Sequence, residues 1–220
     1  MNDSLTRDLL KYVERMSMAE DPLLAELDRE THLRAVNPQM ASGHLQGALL
    51  TMMSKLVAPS RILEIGTFTG YSTLCLTAGL REGGQLDTIE ADEELESISQ
   101  PFFDRSPHGS AIRRHTGAAL EILPQLDEIY DLVFIDGDKR EYLDYYSAVM
   151  GDGGGRLMVR SGSVILADNI LWYGKVADPR ESNDPHTAAI DRFNAAVAAD
   201  PRVENVIIPI RDGLNFIRVK

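Results

Sequence analysis

The chain has 220 residues, 44% of them hydrophobic and 25% charged, with a net charge of −12 and a pI near 4.8. That length and composition fit one substantial globular core, expected as a single domain over residues 1–220. The acidic balance disfavours a broad phosphate-backbone partner, and no apolar run reaches the roughly 20 residues a membrane helix needs.

Residues 3–19 carry Leu5, Leu9, Leu10, Val13 and Met16 at helical spacing. Asp21-Pro22 opens a second helix toward Leu33, and Asn37-Pro38 breaks it. Ser42 is the expected cap of a third, with Leu45, Leu49, Leu50, Met53, Leu56 and Val57. Residues 1–58 are thus helical and pack on or over the α/β core of residues 59–220, as a rim, a lid or a dimer face. From 59 onward strand and helix alternate: strands at 61–65, 85–90, 111–115, 130–135 and 163–167, with helices between them. The helix begun by Asp92 is expected to stop at Pro101. Gly151 to Gly155 reads as a flexible surface loop. A helix over 185–199 precedes two last strands, 203–208 and 214–219, joined as a hairpin through Arg211-Asp-Gly213. The lone Cys75 permits no internal disulfide, and the N-terminus lacks a long apolar segment, so a cytoplasmic location without a signal peptide is expected. Arg113-Arg114 and Arg156/Arg160 are the dense basic positions and read as solvated surface.

The chain is organised around Arg61-Ile-Leu-Glu-Ile-Gly-Thr-Phe-Thr-Gly-Tyr-Ser72. Strand, glycine turn and helix open a nucleotide-binding sheet. The glycines would let backbone pass close under a ligand, and free N–H groups at the helix start could meet its polar atoms. The spacing is E-x-G-x-x-x-G, without the third glycine of a pyrophosphate turn. Glu64, two residues before Gly66, suits a cationic ligand, and S-adenosylmethionine carries an ammonium and a sulfonium. Glu90 ends the next strand, roughly 20 residues on, where an acid takes ribose hydroxyls.

Ligands bind at the carboxyl ends of such strands. Two of these ends read Asp136-Gly-Asp138-Lys139 and Asp168-Asn169. In neighbouring strands, about 4.8 Å apart, Asp136, Asp168 and Asn169 would form a hard-oxygen site for Mg²⁺, Mn²⁺ or Ca²⁺. Lys139 beside such an ion can act as a base; the alternative is a surface lysine paired with Asp138 or Glu141.

Glu64-Ile-Gly-Thr-Phe-Thr-Gly-Tyr-Ser72, Phe134-Ile-Asp-Gly-Asp-Lys139, Ala167-Asp-Asn-Ile-Leu-Trp172 and Asp200-Pro-Arg-Val-Glu204 with Arg211-Asp-Gly213 together resemble the cation-dependent O-methyltransferases, the family of the caffeoyl-CoA and catechol enzymes. The resemblance runs from about residue 22 to the end. It implies the Rossmann-like class I S-adenosylmethionine-dependent methyltransferase fold, a seven-stranded, mostly parallel α/β sheet with a last antiparallel strand and helices on both faces. It implies S-adenosylmethionine contacts at Glu64, Gly66, Thr67, Ser72, Glu90, Ala119, Asp136 and Asp138, with Met40 and Ser42 near the methionine end. It implies metal ligands Asp136, Asp168 and Asn169, and catalytic Lys139 with Asp136. Met40, Lys139, Asn169, Trp172 and Tyr173 fall at the substrate. Tyr173 stands where plant enzymes have a substrate-touching asparagine, and the Gly151–Arg156 segment is longer than usual.

The function expected is methyl transfer to a hydroxyl of a catechol-like small aromatic. The alternatives are a tRNA hydroxyuridine O-methyltransferase, like some bacterial relatives, and a non-catalytic nucleotide-binding module. A homodimer follows from the resemblance; nucleic-acid and membrane partners do not.

Overall fold

The computed structural model describes residues 3–181 and 183–220. Seven strands form one sheet: β1 (Arg61–Ile65), β2 (Gln85–Glu90), β3 (Ile112–Thr116), β4 (Tyr130–Ile135), β5 (Val159–Asp168), β6 (Val203–Ile208) and β7 (Leu214–Val219), in the spatial order β3-β2-β1-β4-β5-β7-β6. The first five are parallel. β7 is antiparallel to both β5 and β6, so the antiparallel strand is inserted between them. Chain order reverses between β1 and β4, and the crevice that opens at such a reversal lies outside their carboxyl ends.

Among the described residues eight α-helices accompany the sheet: α1 (Asp3–Met16), α2 (Pro22–Arg34), α3 (Gly43–Val57), α4 (Tyr71–Thr77), α5 (Glu96–Arg105), α6 (Ala119–Ile122), α7 (Tyr142–Val149) and α8 (Pro185–Ala199). Side chains alternate across β1, so its two faces feed two cores. Leu63 and Ile65 join Tyr142 and Tyr146 of α7 and Ile190 and Phe193 of α8. Ile62 joins Leu27 of α2, Leu50 of α3, Leu74 of α4 and Phe103 of α5. The expected buried state of Cys75 is met in this second core. Polar contacts also tie α2 and the residues just before it to the segment after β1: the buried Thr31 hydroxyl donates to Thr69 at 2.8 Å, and Tyr71 donates to Glu20 at 2.5 Å.

Pro101 does not stop its helix, because α5 continues to Arg105. Proline has no N–H for the carbonyl of Ser97, four residues back. Arg34 supplies it instead, with Nη1 donating to that carbonyl at 3.4 Å and Nη2 to the Ser97 hydroxyl at 3.1 Å. Ser42 precedes α3 but makes no capping bond with its side chain. β5 starts at Val159, four residues before the expected Ser163, because the register slips between Tyr130 and Leu132 and the intervening Gly162 (φ 89°) breaks the apolar pattern. The glycine run forms an exposed turn at Asp152–Gly154, which Arg202 Nη1 holds by donating to Asp152 at 2.6 Å. Arg156 and Arg160 pair with Asp127 and Asp131, and Arg114 donates to Ser99, so the dense basic positions are neutralised or engaged. Among the described residues no helix is long and apolar enough to cross a membrane.

Candidate active site

A cleft of about 1580 Å³ opens over the carboxyl ends of β1, β2, β4 and β5. Gly66 lies in its floor at φ 100°, and a Cβ there would sit 2.4 Å from the carbonyl oxygen of Asp136. The glycine therefore clears the end of β4. Three amides of the loop are engaged within the protein. Gly66 and Thr67 donate to the Ile89 carbonyl at 3.0 and 3.2 Å, and Phe68 donates to Glu90 Oε2 at 2.7 Å. Glu90 Oε1 accepts from the Asp92 amide at 3.0 Å, which fixes this carboxylate in the cleft wall.

Glu64 lies beneath the loop, fully buried, and outside the cleft lining. Its carboxylate accepts from Ser72 at 2.6 Å, Thr73 at 2.5 Å and Thr88 at 2.6 Å. Burial pushes the carboxyl up to about 7 from 4.5, against the lowering effect of these hydroxyls. The raised value sets the sign: the contribution to stability is full below about pH 4.5 and lost as pH rises through about 7. In urea unfolding with EDTA, wild type should lose about 3 kcal/mol relative to Glu64→Gln between pH 4.5 and 8. Parallel pH profiles of the two proteins would reject this assignment.

β4 and β5 are neighbours with Ile135 opposite Ala167, so Asp136 and Asp168 leave the sheet side by side. Burial pushes the Asp136 carboxyl up to about 6; the Lys139 ammonium opposes this and the Asp168 charge adds to it. Lys139 Nζ donates to Asp136 Oδ1 and to the Tyr142 hydroxyl, both at 2.6 Å. The alternative partners are taken: Asp138 holds Arg140 and Glu141 accepts from Tyr145. Asp168 accepts from Gln46 Nε2 and, at 2.8 Å, from the Asn169 amide. Asn169 is left-handed at φ 56°, and with Asp136, Asp168 and Lys139 it lines the same cleft. Met40, Ser42, Thr67, Ser72, Ala119, Asp138, Trp172 and Tyr173 line it too. Tyr173 is 78% exposed at the rim, and Trp172 stacks on His186 with centroids 5.5 Å apart.

The model of one family, described as O-methyltransferase, matches residues 14–220. The chain belongs to the O-methyltransferase family. A catechol O-methyltransferase of Niastella koreensis is 33% identical over 210 residues, covering 94% of this chain and 88% of that protein. Caffeoyl-CoA O-methyltransferase 1 of Arabidopsis thaliana is 30% identical, covering 96% of this chain and 84% of that one. The solved structure of the O-methyltransferase from Bacillus cereus in complex with SAH is 32% identical, with a TM-score of 0.86 over 96% of each chain. The resemblance drawn from the four motifs is confirmed, and with it the fold and the enzyme class.

Three features at or beneath this O-methyltransferase's cleft were not placed there from sequence. Tyr142 is fully buried; its hydroxyl receives Lys139 and faces the carbonyls of Ile135 and Asp168 at 3.2 and 3.0 Å. Its place three residues after Lys139 is a helical-face signal that could have found it. Gln46 reaches Asp168 from 122 residues away, and no local pattern announces that. The third is the turn at Arg211 and Asp212. Asp212 Oδ1 accepts from the Tyr173 amide at 2.6 Å, and burial raises its carboxyl above the ordinary range.

Proposed function

We propose that this O-methyltransferase methylates one hydroxyl of a vicinal dihydroxy aromatic, using S-adenosylmethionine and a divalent metal. The observation that carries the reading is a hard-oxygen donor set, two carboxylates and an amide at the ends of β4 and β5, with a lysine 2.6 Å from one of them. Oxygen donors of this kind suit Mg²⁺, Mn²⁺ or Ca²⁺. Asp136, Asp168 and Asn169 would hold such an ion, and the chemistry it would supply is Lewis-acid activation of the acceptor hydroxyl. S-adenosylmethionine supplies an already activated methyl group.

The chain's own residues do the rest. Glu90 meets the ribose, Gly66, Thr67 and Ala119 shape the nucleoside wall, and Met40 and Ser42 bound the methionine end. Glu64 acts from below through Ser72, and Asp138 holds the segment leading to Lys139. Lys139, on Asp136 and Tyr142, receives the acceptor's proton. Trp172 and Tyr173 flank the ring, and alignment of the hydroxyl with the methyl group supplies much of the rate.

Charge favours a small catechol over a CoA thioester. Glu90, Asp92, Glu94, Asp136, Asp138, Glu141, Asp168 and Asp212 line the cleft, against the basic side chains Arg34, Lys139 and Arg211. All three are already engaged, Arg34 by Ser97, Lys139 by Asp136, and Arg211 by backbone carbonyls. A phosphate-bearing arm or a tRNA would meet uncompensated negative charge. With labelled S-adenosylmethionine and Mg²⁺, catechols should accept methyl groups well, hydroxycinnamoyl-CoA thioesters poorly and total tRNA not at all. Preferred methylation of the thioester or of tRNA would overturn this reading.

A homodimer belongs to the same proposal. Leu9, Leu10 and Met16 of α1 and, separately, Val206 of β6 are each more than half exposed, and exposed apolar residues of this kind suit a self-complementary contact. Sedimentation as a 24.3 kDa monomer at micromolar concentration would reject it. The lone, buried Cys75 supports a reducing, cytoplasmic setting.

A further inference from the structure

The segment between α2 and α3 carries Gln39, Met40 and Ala41 along the cleft. Its own hydrogen bonds are local. The Met40 amide donates to Asn37 O at 3.0 Å, the Ala41 amide to Pro38 O at 3.1 Å, and Gln39 Nε2 to Asn37 Oδ1 at 3.4 Å. Among the described residues, the hydrogen bonds that join this turn to the rest of the protein come from one side chain. Arg211 Nη1 donates to the Ala41 carbonyl at 3.0 Å, and Nη2 lies 3.5 Å from the Gln39 carbonyl.

Arg211 is fixed from behind. Its turn is closed by Ile210 donating to Ile208 O and Gly213 donating to Ile210 O, both at 2.8 Å. The same turn holds the opposite rim of the cleft. The Leu171 amide donates to Asp212 O at 2.9 Å, and the Tyr173 amide to Asp212 Oδ1 at 2.6 Å. Arg211 sits at φ 47°, a conformation better suited to glycine or asparagine. Backbone preference therefore does not account for an arginine here, whereas the reach of its guanidinium does. Glycine at residue 43 leaves room for it, for an ideal Cβ there would lie 2.9 Å from Arg211 Nη1.

We propose that Arg211 is a positioning residue that clasps the Gln39–Ala41 turn to the β6–β7 turn and so keeps Met40 over the acceptor end of the cleft. The two walls of the acceptor mouth are then set by one element, with Arg211 holding one side and Asp212 the other. A planar guanidinium can reach two carbonyls at once, which a lysine ammonium on a flexible stem does less well. The kinetic half of this proposal rests on the methyl-transfer reading; the structural half does not.

Two variants test it. Arg211→Gly removes the clasp while suiting the left-handed backbone, and Arg211→Lys keeps a charge without the fork. In full-length protein without ligands, hydrogen exchange at the Met40 and Ala41 amides should rise on the order of tenfold in Arg211→Gly, as expected for loss of a hydrogen bond from a charged donor. It should rise less in Arg211→Lys, and Arg211→Gly should show no drop in thermal midpoint. With catechol as acceptor, KM for catechol should rise on the order of tenfold while kcat changes much less. Unchanged exchange at Met40 and Ala41 in both variants would overturn the clasp. Raised exchange with an unchanged catechol KM would overturn the positioning role. If wild type turns over no catechol, that failure belongs to the substrate reading, and the exchange result alone decides the clasp.

Discussion

Asp168→Asn is expected to lower turnover by roughly a thousandfold, as loss of several kcal/mol of charge stabilisation at the reacting oxygen implies. Asparagine is chosen over alanine because of what surrounds the carboxylate. Gln46 Nε2 and the Asn169 amide both donate to Asp168, and Gln46 is 1% exposed. Alanine would leave the Gln46 amide buried without a partner, at about 1–3 kcal/mol of stability. Asparagine keeps one acceptor oxygen for the Asn169 amide, its own amide can donate to Gln46 Oε1 once that side chain flips, and the charge is removed. S-adenosylmethionine binding should persist, since Glu90, Thr67 and Ala119 lie toward the other end of the cleft. EDTA should reproduce the loss in wild type, and Mg²⁺ or Mn²⁺ should restore it. Full activity of Asp168→Asn, or of wild type shown to be metal-free, would defeat the metal reading.

Lys139→Ala should lower the rate at neutral pH by about 10²–10⁴-fold, the usual range for a positioned base. The loss should shrink as pH rises, because more acceptor then arrives ionised. Lys139→Arg should not rescue, since a guanidinium stays protonated. The surroundings sharpen this test. Lys139 does not hold Asp138, whose carboxylate is engaged by Arg140, so a purely structural role would have to act through Asp136 or Tyr142. Tyr142→Phe keeps the ring and removes one acceptor of the ammonium; it should cost less than Lys139→Ala and should also shift the pH–rate profile. A matching monophenol, lacking the second oxygen, should be a very poor acceptor for every variant. Equal turnover of catechol and monophenol would defeat two-oxygen binding, and rescue by arginine would defeat the lysine's role as base.

Much of the sheet was legible because strands buried on both faces announce themselves as apolar runs. Tyr130-Asp-Leu-Val-Phe-Ile135 was bounded correctly for that reason; the two last strands were bounded correctly too, although Glu204 to Ile207 are exposed, because the Arg211-Asp-Gly213 turn separates them. Helix and strand limits failed where a distant side chain overrode a local rule, as when Arg34 takes the carbonyl that Pro101 leaves free, or where a slipped register lengthened β5. At the site, the residues at strand ends were readable, since strand order and the position of each acid in sequence determine where they meet. Glu64 was readable as to place but not as to environment: three hydroxyls from α4 and β2 close over it. Gln46 and Arg211 lay beyond reach, because their partners are 122 and 170 residues away.

The insertion of β7 between β5 and β6 bears on how the protein is made. During synthesis β5 emerges with its outer edge unsatisfied, and β6 comes next without the strand that joins it to the sheet. Only when residues 214–219 appear can Leu214 pair with Asp168 on one side and Ile208 on the other. The edge of β5 thus waits, open to association with other chains, through the synthesis of α8 and β6. A nascent or truncated chain lacking those six residues would contain Asp136, Asp168, Asn169 and Lys139, yet would lack the strand that braces Asp168. Such a chain should depend on chaperones and should aggregate before it loses any residue of the site.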